Sequence, residues 1–399
     1  MKTIFIFLSV LFLIGVVIGF TTGANDKMER ELEQEIINYI PQPGISLVNG
    51  KLVWEHDHSL PNPYAYSDGS IIATTGKWEV RRDTLLRMME EYVYGLRPDL
   101  KIDRVEITIP DYHDKLVSDN AISFHAQIYY DLLRSFNIRV TRPRKKGNYP
   151  VIIRYESNED FRFPIEEDCI GNNKYIIVAL NHMSVSPDND EVTNDHMYET
   201  KVLMAWAYAA SLTVDYLETL DFVDATNITI TGMSRTGKAA ICAGVYDKRF
   251  KVVVANNSGA AGASGLRSFG EAKTQAINIA KHQPTWVSEI LLKYLDDENR
   301  LPLDMHFARA LIAPRAILTT EALDGGDAIW AGPVSTFKMW EASDYAFHLY
   351  EEAKHNLIHL RKGPHDQLDE DYERMMLVVD YVCYNQPLDT SLFRVNAYK

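Results

Sequence analysis

The chain has 399 residues, of which 46% are hydrophobic and 24% are charged, so it carries enough apolar material for one large globular core. Lysine and arginine total 41 against 55 aspartate and glutamate residues, and the resulting net charge of −14 argues against nucleic-acid binding. Three cysteines without a C-x-x-C spacing exclude a disulfide scaffold and a cysteine-based zinc or redox motif.

The first predicted element is a targeting segment, residues 1–24. Lys2 precedes an apolar run from Ile4 to Phe20, and small residues follow before the charges that begin at Asp26. This layout is typical of a signal peptide, so we expect a secreted or periplasmic protein with no stable membrane partner. A retained anchor helix is the alternative, because about 17 apolar residues approach the length that spans a bilayer. The segment has no cysteine, which excludes a lipoprotein anchor.

An N-terminal extension, residues 25–60, precedes a single domain predicted for residues 61–399. Apolar residues at helical spacing predict a helix over 78–94. Residues 103–110 and 122–142 alternate between polar and apolar side chains, which indicates an antiparallel opening to the sheet.

From residue 148 onward, short apolar runs alternate with helical patterns. Parallel strands are predicted at 149–154, 175–180, 228–232, 252–255, 316–320 and 356–360, and helices at 198–220, 235–246 and 368–383. This alternation favours an α/β fold, a three-layer sandwich with a mostly parallel central sheet and helices on both faces. We find no internal repeat and no linker, so one domain is the simplest organisation.

The strongest chemical signal follows the predicted strand 228–232, where the sequence reads Gly232-Met-Ser234-Arg235-Thr-Gly237. A buried strand that runs into a serine and then a helix of small residues is typical of a nucleophile elbow. Such a turn exposes the serine hydroxyl and aims the Arg235 N–H at the oxygen of an attacked carbonyl. The general spacing is G-x-S-x-G, and this chain has one more residue before the second glycine. A serine that only caps a helix is the alternative.

A serine nucleophile needs a histidine base and a carboxylate that orients the histidine. In α/β hydrolases the acid and then the histidine follow the serine, each on a loop after a later strand. His365 follows the last predicted strand, and Asp327 and Asp324 follow the strand at 316–320. We therefore predict a triad of Ser234, His365 and Asp327, with Asp324 as the second choice for the acid.

Metal catalysis has little support in the sequence. His56 and His58 form the closest histidine pair, but they precede the predicted domain, and no H-E-x-x-H motif occurs. The glycine-rich motifs G-x-G-x-x-G and G-x-x-x-x-G-K-[ST] are also absent. We therefore expect neither a metal nor a cofactor.

The elbow residues Ser234-Arg235-Thr-Gly237-Lys238 resemble the S-R-x-G-K elbow of the glucuronoyl esterases, the fifteenth carbohydrate esterase family. Similar segments follow one another along most of the chain, at 61–69, 78–82, 94–95, 205–208, 215–218, 223–224, 256–259, 269–271, 301–306, 313–315, 330–333 and 363–366. So many separated matches in the same order make the resemblance specific.

The resemblance implies an α/β-hydrolase fold and cleavage of the ester between glucuronic acid on xylan and a lignin alcohol. The expected partner is a glucuronoxylan or lignin–carbohydrate ester substrate. Ser234 would be the nucleophile, His365 the base and Arg235 the oxyanion stabiliser, while Lys238 would contact uronic-acid hydroxyls. The further substrate-binding residues that the resemblance implies are Trp330, His306, Arg267 and Glu271.

The chain departs from the family pattern in the expected acid. Many members carry a catalytic glutamate where this chain has Asn257, so the acid is expected on the later loop with Asp327.

The sequence leaves two other functions open. One is a secreted acetyl-xylan or other small-ester carbohydrate esterase, and the other is a non-catalytic carbohydrate-binding relative.

Overall fold

The structure is a computed structural model. It describes residues 45–48, 51–54, 60–66, 68–109, 120–160, 164–187, 200–267, 279, 283–294, 297–323 and 332–393. The predicted signal peptide lies outside the described residues, as do four predicted site residues, Glu271, Asp324, Asp327 and Trp330.

Eleven strands occur among the described residues, and nine of them form one mixed sheet. Numbered in chain order, they are β1 (Ile45–Val48), β2 (Lys51–Trp54), β3 (Arg104–Thr108), β4 (Ala121–Tyr129), β5 (Ser135–Pro143), β6 (Tyr149–Glu156), β7 (Ile176–Asn181), β8 (Val223–Met233), β9 (Phe250–Asn256), β10 (Ala316–Ala322) and β11 (Asn356–Arg361). The order across the sheet is β11-β10-β9-β8-β6-β7-β5-β4-β3. The first six of these strands run parallel, and β5, β4 and β3 continue the sheet antiparallel.

Eight α-helices accompany these strands within the described ranges. They are α1 (Thr75–Met89), α2 (Glu166–Gly171), α3 (His182–Val185), α4 (Val202–Leu217), α5 (Arg235–Tyr246), α6 (His306–Ile312), α7 (Pro333–Leu349) and α8 (Asp369–Tyr384). A π-helical turn, Glu90–Tyr94, extends α1, and short 3₁₀ turns occupy Glu289–Tyr294, Glu298–Arg300, Ala353–His355 and Thr390–Leu392. None of the helices in the described part of the chain is long and apolar enough to cross a bilayer.

Alternate residues of the central strands face two separate hydrophobic cores. In β9, Val253 and Ala255 pack in one core with α1, α4, α5, α6 and α7. Val252 and Val254 of the same strand pack in the other core with α2 and α8. Because both faces of the sheet are buried, its parallel strands read as nearly unbroken apolar runs. The predicted three-layer α/β architecture is therefore confirmed.

Several elements of the described part of the chain were not predicted from the sequence, namely one hairpin and the helices α2, α3, α6 and α7. The hairpin of β1 and β2 lies within residues 25–60, for which no strand was predicted. Helix α7 was also missed, because its buried positions include Ser335, Thr336 and Ser343, and polar residues at buried positions weaken the apolar periodicity. The helix predicted over 78–94 is confirmed as α1 and its π-helical turn, which end at Gly95 with φ 77°.

Candidate active site

The turn between β8 and α5 has the strained geometry of a nucleophile elbow. Ser234 has φ 53° and ψ −119°, a conformation that costs a non-glycine residue on the order of 1–3 kcal/mol. The turn is tight at Gly232, where a Cβ atom would overlap the Thr236 carbonyl. The Ser234 N–H donates to the Asn256 carbonyl of β9 at 2.8 Å. Its side chain makes no capping bond to the helix, which supports the elbow and not the cap.

The candidate base reaches the candidate nucleophile. His365 Nε2 lies 3.1 Å from Ser234 Oγ, within hydrogen-bond distance. The serine follows β8 and the histidine follows β11, and these parallel strands bring their carboxyl ends to the same edge of the sheet. The structure therefore brings together two side chains that are 131 residues apart in the sequence.

The loop that carries His365 wraps around a buried ion pair. Arg361, the last residue of β11, donates through Nε to both carboxylate oxygens of Asp371, at 2.9 and 2.8 Å. Its terminal nitrogens donate to the carbonyls of Pro364 and Asp366, at 3.2 and 2.5 Å. Arg361 and Asp371 are both buried, so each supplies the charge partner that the other needs. The backbone on both sides of His365 is thereby bonded to the end of the sheet.

Arg235, the predicted oxyanion residue, begins α5 directly after the nucleophile. The first backbone N–H groups of a helix point out of its N-terminus, and the Arg235 N–H is one of these. The guanidinium carbon of Arg235 lies 5.7 Å from the centre of the buried Trp286 ring. Partial burial lowers the pKa of Arg235 from its ordinary value. A cation held over an indole ring beside the serine can stabilise a negative charge that develops there.

A cavity of about 490 Å³ opens beside Arg235, at the carboxyl ends of β6, β7 and β8. Met233 of the elbow lines it, and so do Gln367 of the histidine loop and Tyr372 of α8. A cleft of this volume lies within the range of small-molecule sites.

His182, in the wall of this cavity, is a buried histidine that the sequence did not mark as functional. Its Nδ1 lies 2.6 Å from the Glu156 carbonyl, and because a carbonyl only accepts, Nδ1 carries the proton and Nε2 the lone pair. Burial, and to a smaller extent the charge of Arg235, lowers the pKa of His182 to about 4. The ring is therefore neutral at neutral pH and adds a hydrogen-bond acceptor to the cavity wall.

Lys238 lies beneath the elbow and is only 5% exposed. Its Nζ donates to the Ser258 carbonyl and, at 2.9 Å, to the Ala260 carbonyl. Burial lowers the pKa of Lys238 to about 7 and raises the pKa of neighbouring Glu321 to about 8. These contacts support the chain segment that follows β9, and a contact of Lys238 with uronic-acid hydroxyls stays a prediction.

Two further predicted substrate-binding residues are buried. Arg267 donates to the Leu303 carbonyl at 2.7 Å and to the Asp304 carboxylate at 3.1 Å. His306 Nε2 lies 2.8 Å from the Pro61 carbonyl, and the His306 side chain has no exposed surface. Both side chains join distant segments of the fold, and a role for either of them in binding substrate stays a prediction.

The candidate acids Asp327 and Asp324 lie outside the described residues, but the strand that precedes them ends beside the histidine loop. Ala322, the last residue of β10, is paired with Arg361 in the parallel register. The Leu323 N–H donates to the Arg361 carbonyl at 2.7 Å. The chain therefore leaves β10 next to the strand end from which the His365 loop starts, and the choice between the two acids stays a prediction.

A serine at a strained strand-to-helix turn, bonded to a histidine after the last strand of a mostly parallel sheet, defines a serine hydrolase of the α/β-hydrolase fold. Comparison with known proteins shows which family of serine hydrolases the chain belongs to. The family model for glucuronyl esterases of fungi matches residues 131–350. The chain belongs to the glucuronoyl esterase family, carbohydrate esterase family 15, and it is a carboxylic ester hydrolase.

Relatives in sequence and in structure agree with this family. A carbohydrate esterase from an unknown prokaryotic organism is 25% identical in an alignment that covers 81% of this chain and 89% of the relative. The 4-O-methyl-glucuronoyl methylesterase 1 of Wolfiporia cocos is 25% identical in an alignment that covers 71% of this chain and 70% of the relative. The glucuronoyl esterase structure from Caldicellulosiruptor kristjansonii has a TM-score of 0.69 and 25% identity, covering 86% of this chain and 96% of that chain.

A more distant structure carries a ligand. It is a mutant glucuronoyl esterase from Sporotrichum thermophile in complex with methyl 4-O-methyl-β-D-glucopyranuronate. It matches this fold with a TM-score of 0.66 and 21% identity, and the match covers 85% of this chain and 91% of that chain.

Proposed function

We propose that this chain hydrolyses esters of 4-O-methyl-glucuronic acid in glucuronoxylan and releases the lignin alcohol, using Ser234 as nucleophile and His365 as base. The observation that carries the proposal is the 3.1 Å contact between Ser234 Oγ and His365 Nε2 at a strained elbow, in a member of the glucuronoyl esterase family. The relatives named 4-O-methyl-glucuronoyl methylesterases support the uronate side of the substrate. The signal-peptide layout of residues 1–24 supports action outside the cytoplasm.

The first half of the reaction forms an acyl-enzyme. Ser234 Oγ attacks the ester carbonyl carbon while His365 Nε2 takes the hydroxyl proton. The N–H and the guanidinium of Arg235 stabilise the oxyanion of the tetrahedral intermediate. The bond between the carbonyl carbon and the alcohol oxygen then breaks, and His365 gives its proton to the departing alcohol. The uronoyl group is left on Ser234.

The second half of the reaction releases the uronate. Water attacks the acyl carbon while His365 takes a water proton, and that proton returns to Ser234 Oγ as the acyl bond breaks. An aspartate on the loop after β10, Asp327 ahead of Asp324, accepts the bond from His365 Nδ1 and stabilises the imidazolium in both halves. The position of Ala322 beside Arg361 supports an acid from this loop.

The test is hydrolysis of the benzyl ester of glucuronic acid by the purified chain, compared with 4-nitrophenyl acetate and acetylated xylan. We expect kcat/KM for the uronate ester to exceed that for the acetates by at least about tenfold, because the cavity beside Arg235 can contact a uronic-acid ring, which an acetyl group lacks. The Ser234→Ala variant should lose on the order of 10⁶ in kcat. Turnover of the acetates alone would assign a small-ester esterase and contradict the proposal.

A further inference from the structure

The side chain of Asn257 bonds to two segments that are distant in the sequence. Asn257 follows β9 directly, is buried, and has φ 45°, which asparagine tolerates better than most residues. Its Nδ2 donates to the Asp366 carbonyl at 2.7 Å, and its Oδ1 accepts from the Ala322 N–H at 2.8 Å. One amide thus joins the end of β9 to the residue after His365 and to the end of β10.

An amide is the group that satisfies both partners. A backbone carbonyl only accepts and a backbone N–H only donates, so the orientation of the Asn257 amide is fixed by its partners. A carboxylate at this position would accept from Ala322 but would present a second acceptor to the Asp366 carbonyl. Alanine would leave both buried backbone groups without the amide. The side chain at position 257 therefore joins two backbone segments, which is a different function from that of a triad acid.

The preceding residue, Asn256, holds the nucleophile. Its carbonyl accepts from the Ser234 N–H at 2.8 Å, and its Nδ2 donates to the Gly232 carbonyl at 3.1 Å. Its Oδ1 accepts from Thr320 Oγ1 at 2.7 Å, which ties it to β10. Two consecutive residues at the end of β9 therefore bond to the two halves of the catalytic pair. Asn256 bonds to the elbow, and Asn257 bonds to the loop of the base.

We propose that Asn257 is a positioning residue that sets His365 Nε2 against Ser234 Oγ, a proposal that rests on the proposed nucleophile and base and on no particular substrate. Arg361 holds the same Asp366 carbonyl from the interior at 2.5 Å, so the loop keeps an anchor when the amide is removed. Removing the Asn257 amide should therefore displace the His365 imidazole while the loop itself stays anchored. A misplacement of about 1 Å can cost on the order of 10²-fold in rate.

The first experiment compares Asn257→Ala with a matched control, Asn356→Ala. Asn356 is also a fully buried asparagine, but it lies at the opposite end of β11, where its amide accepts from Arg309 at 2.7 Å and donates to Asp344 at 2.9 Å. Asn257→Ala leaves the buried Ala322 N–H without its acceptor, and Asn356→Ala leaves the buried Arg309 Nε without its acceptor, so we expect both variants to lower the melting temperature. Asn257→Ala should lower kcat by about 10- to 100-fold with KM within about threefold, whereas Asn356→Ala should keep kcat within about twofold.

A covalent probe separates this proposal from the choice of substrate. A fluorophosphonate reacts with an activated serine: Ser234 Oγ displaces fluoride from phosphorus, and His365 takes the hydroxyl proton. The rate of this labelling should fall in Asn257→Ala by the same factor as kcat. An unchanged labelling rate, or an equal fall in Asn356→Ala, would overturn the positioning role. A wild-type chain that is labelled but does not cleave uronate esters would overturn the proposed substrate alone.

The Asn257→Asp variant tests the donated hydrogen bond through the pH dependence of the labelling rate, which a purely structural role would leave unchanged. A protonated carboxyl can donate to the Asp366 carbonyl and accept from the Ala322 N–H, whereas a carboxylate can only accept. We expect the labelling rate of this variant, divided by that of the wild type at each pH, to rise toward one as the pH falls through the pKa of the new carboxyl. Because position 257 is buried, burial should raise the pKa of the new carboxyl into the range between about pH 5 and 8. A ratio that stays constant across this range would contradict the role of the donated bond.

The ratio at each pH cancels the behaviour that both proteins share. The charged or ionisable side chains that both proteins carry on the side of the histidine loop are His365, Asp366, Arg361 and Asp371. On the side of β10 and α5 they are Glu321 and Lys238. A carboxylate at position 257 would also raise the pKa of His365, and this effect lowers the ratio as the pH falls. A rise of the ratio toward low pH therefore reports the restored donor at position 257.

Discussion

The two members of the catalytic pair are held in place by different means. Ser234 is held by its own turn, with Gly232 two residues before it, a positive φ, and a helix that starts at the next residue. His365 is held from a distance, by Arg361 with its partner Asp371 and by the Asn257 amide. The geometry of the nucleophile is thus set mainly by residues next to it in the sequence, with Asn256 of β9 as its tertiary anchor, whereas that of the base depends on tertiary contacts throughout. Substitutions in the turn of Ser234 and substitutions around the loop of His365 should therefore impair the nucleophile and the base separately.

The largest effect is expected when the buried ion pair behind the histidine loop is broken. Arg361→Met leaves Asp371 buried without its partner, which should lower the free energy of unfolding by about 3–5 kcal/mol and reduce activity through the loop. Denaturant unfolding measures the loss. Lys248→Met, which breaks the exposed Lys248–Glu79 pair, is the control and should cost less than about 1 kcal/mol. Equal losses in the two variants would show that the loop does not depend on this pair.

His182, a buried histidine on the side of the nucleophile, should make the free energy of unfolding depend on pH. The pKa of His182 is lowered to about 4, so its contribution to stability is present above the unfolded value of about 6.5 and is lost as the pH falls through about 4. Between pH 7 and 4 the wild type should lose on the order of 3 kcal/mol more unfolding free energy than His182→Gln. Parallel stability curves for the two proteins would contradict the buried neutral ring.

A smaller effect is expected at the elbow itself. Gly232→Ala places a Cβ atom against the Thr236 carbonyl, and the turn must open to relieve the overlap. We expect kcat to fall on the order of 10²-fold through the misplaced Ser234 hydroxyl, with the Arg361–Asp371 pair unaffected. Gly76→Ala in α1 is the control, because a Cβ atom there meets no neighbour, and it should leave kcat unchanged. A Gly232→Ala enzyme of normal kcat would mean that the elbow is not rigid.

The sequence predicted the layers, the strands from β6 onward and the elbow, because these depend on local apolar patterns and on one motif, whereas the order of the strands across the sheet was not predicted. It did not predict α7, whose buried face includes serine and threonine residues. It also gave no sign that Asn257 bonds to the loop of His365, because that contact joins residues 109 positions apart. The buried position of Lys238 was missed for the same reason, since its acceptors, Ser258 and Ala260, follow a different strand.

The role of Ser234 as nucleophile is tested most directly by locating the acyl group that it carries during turnover. The chain is mixed with the benzyl ester of glucuronic acid, quenched in acid during turnover, digested and mapped by mass spectrometry. We expect a uronoyl adduct on the peptide that contains Ser234, formed as benzyl alcohol is released, and neither adduct nor turnover in Ser234→Ala. Benzyl alcohol released at the wild-type rate by Ser234→Ala, or a uronoyl adduct on a different residue, would contradict it.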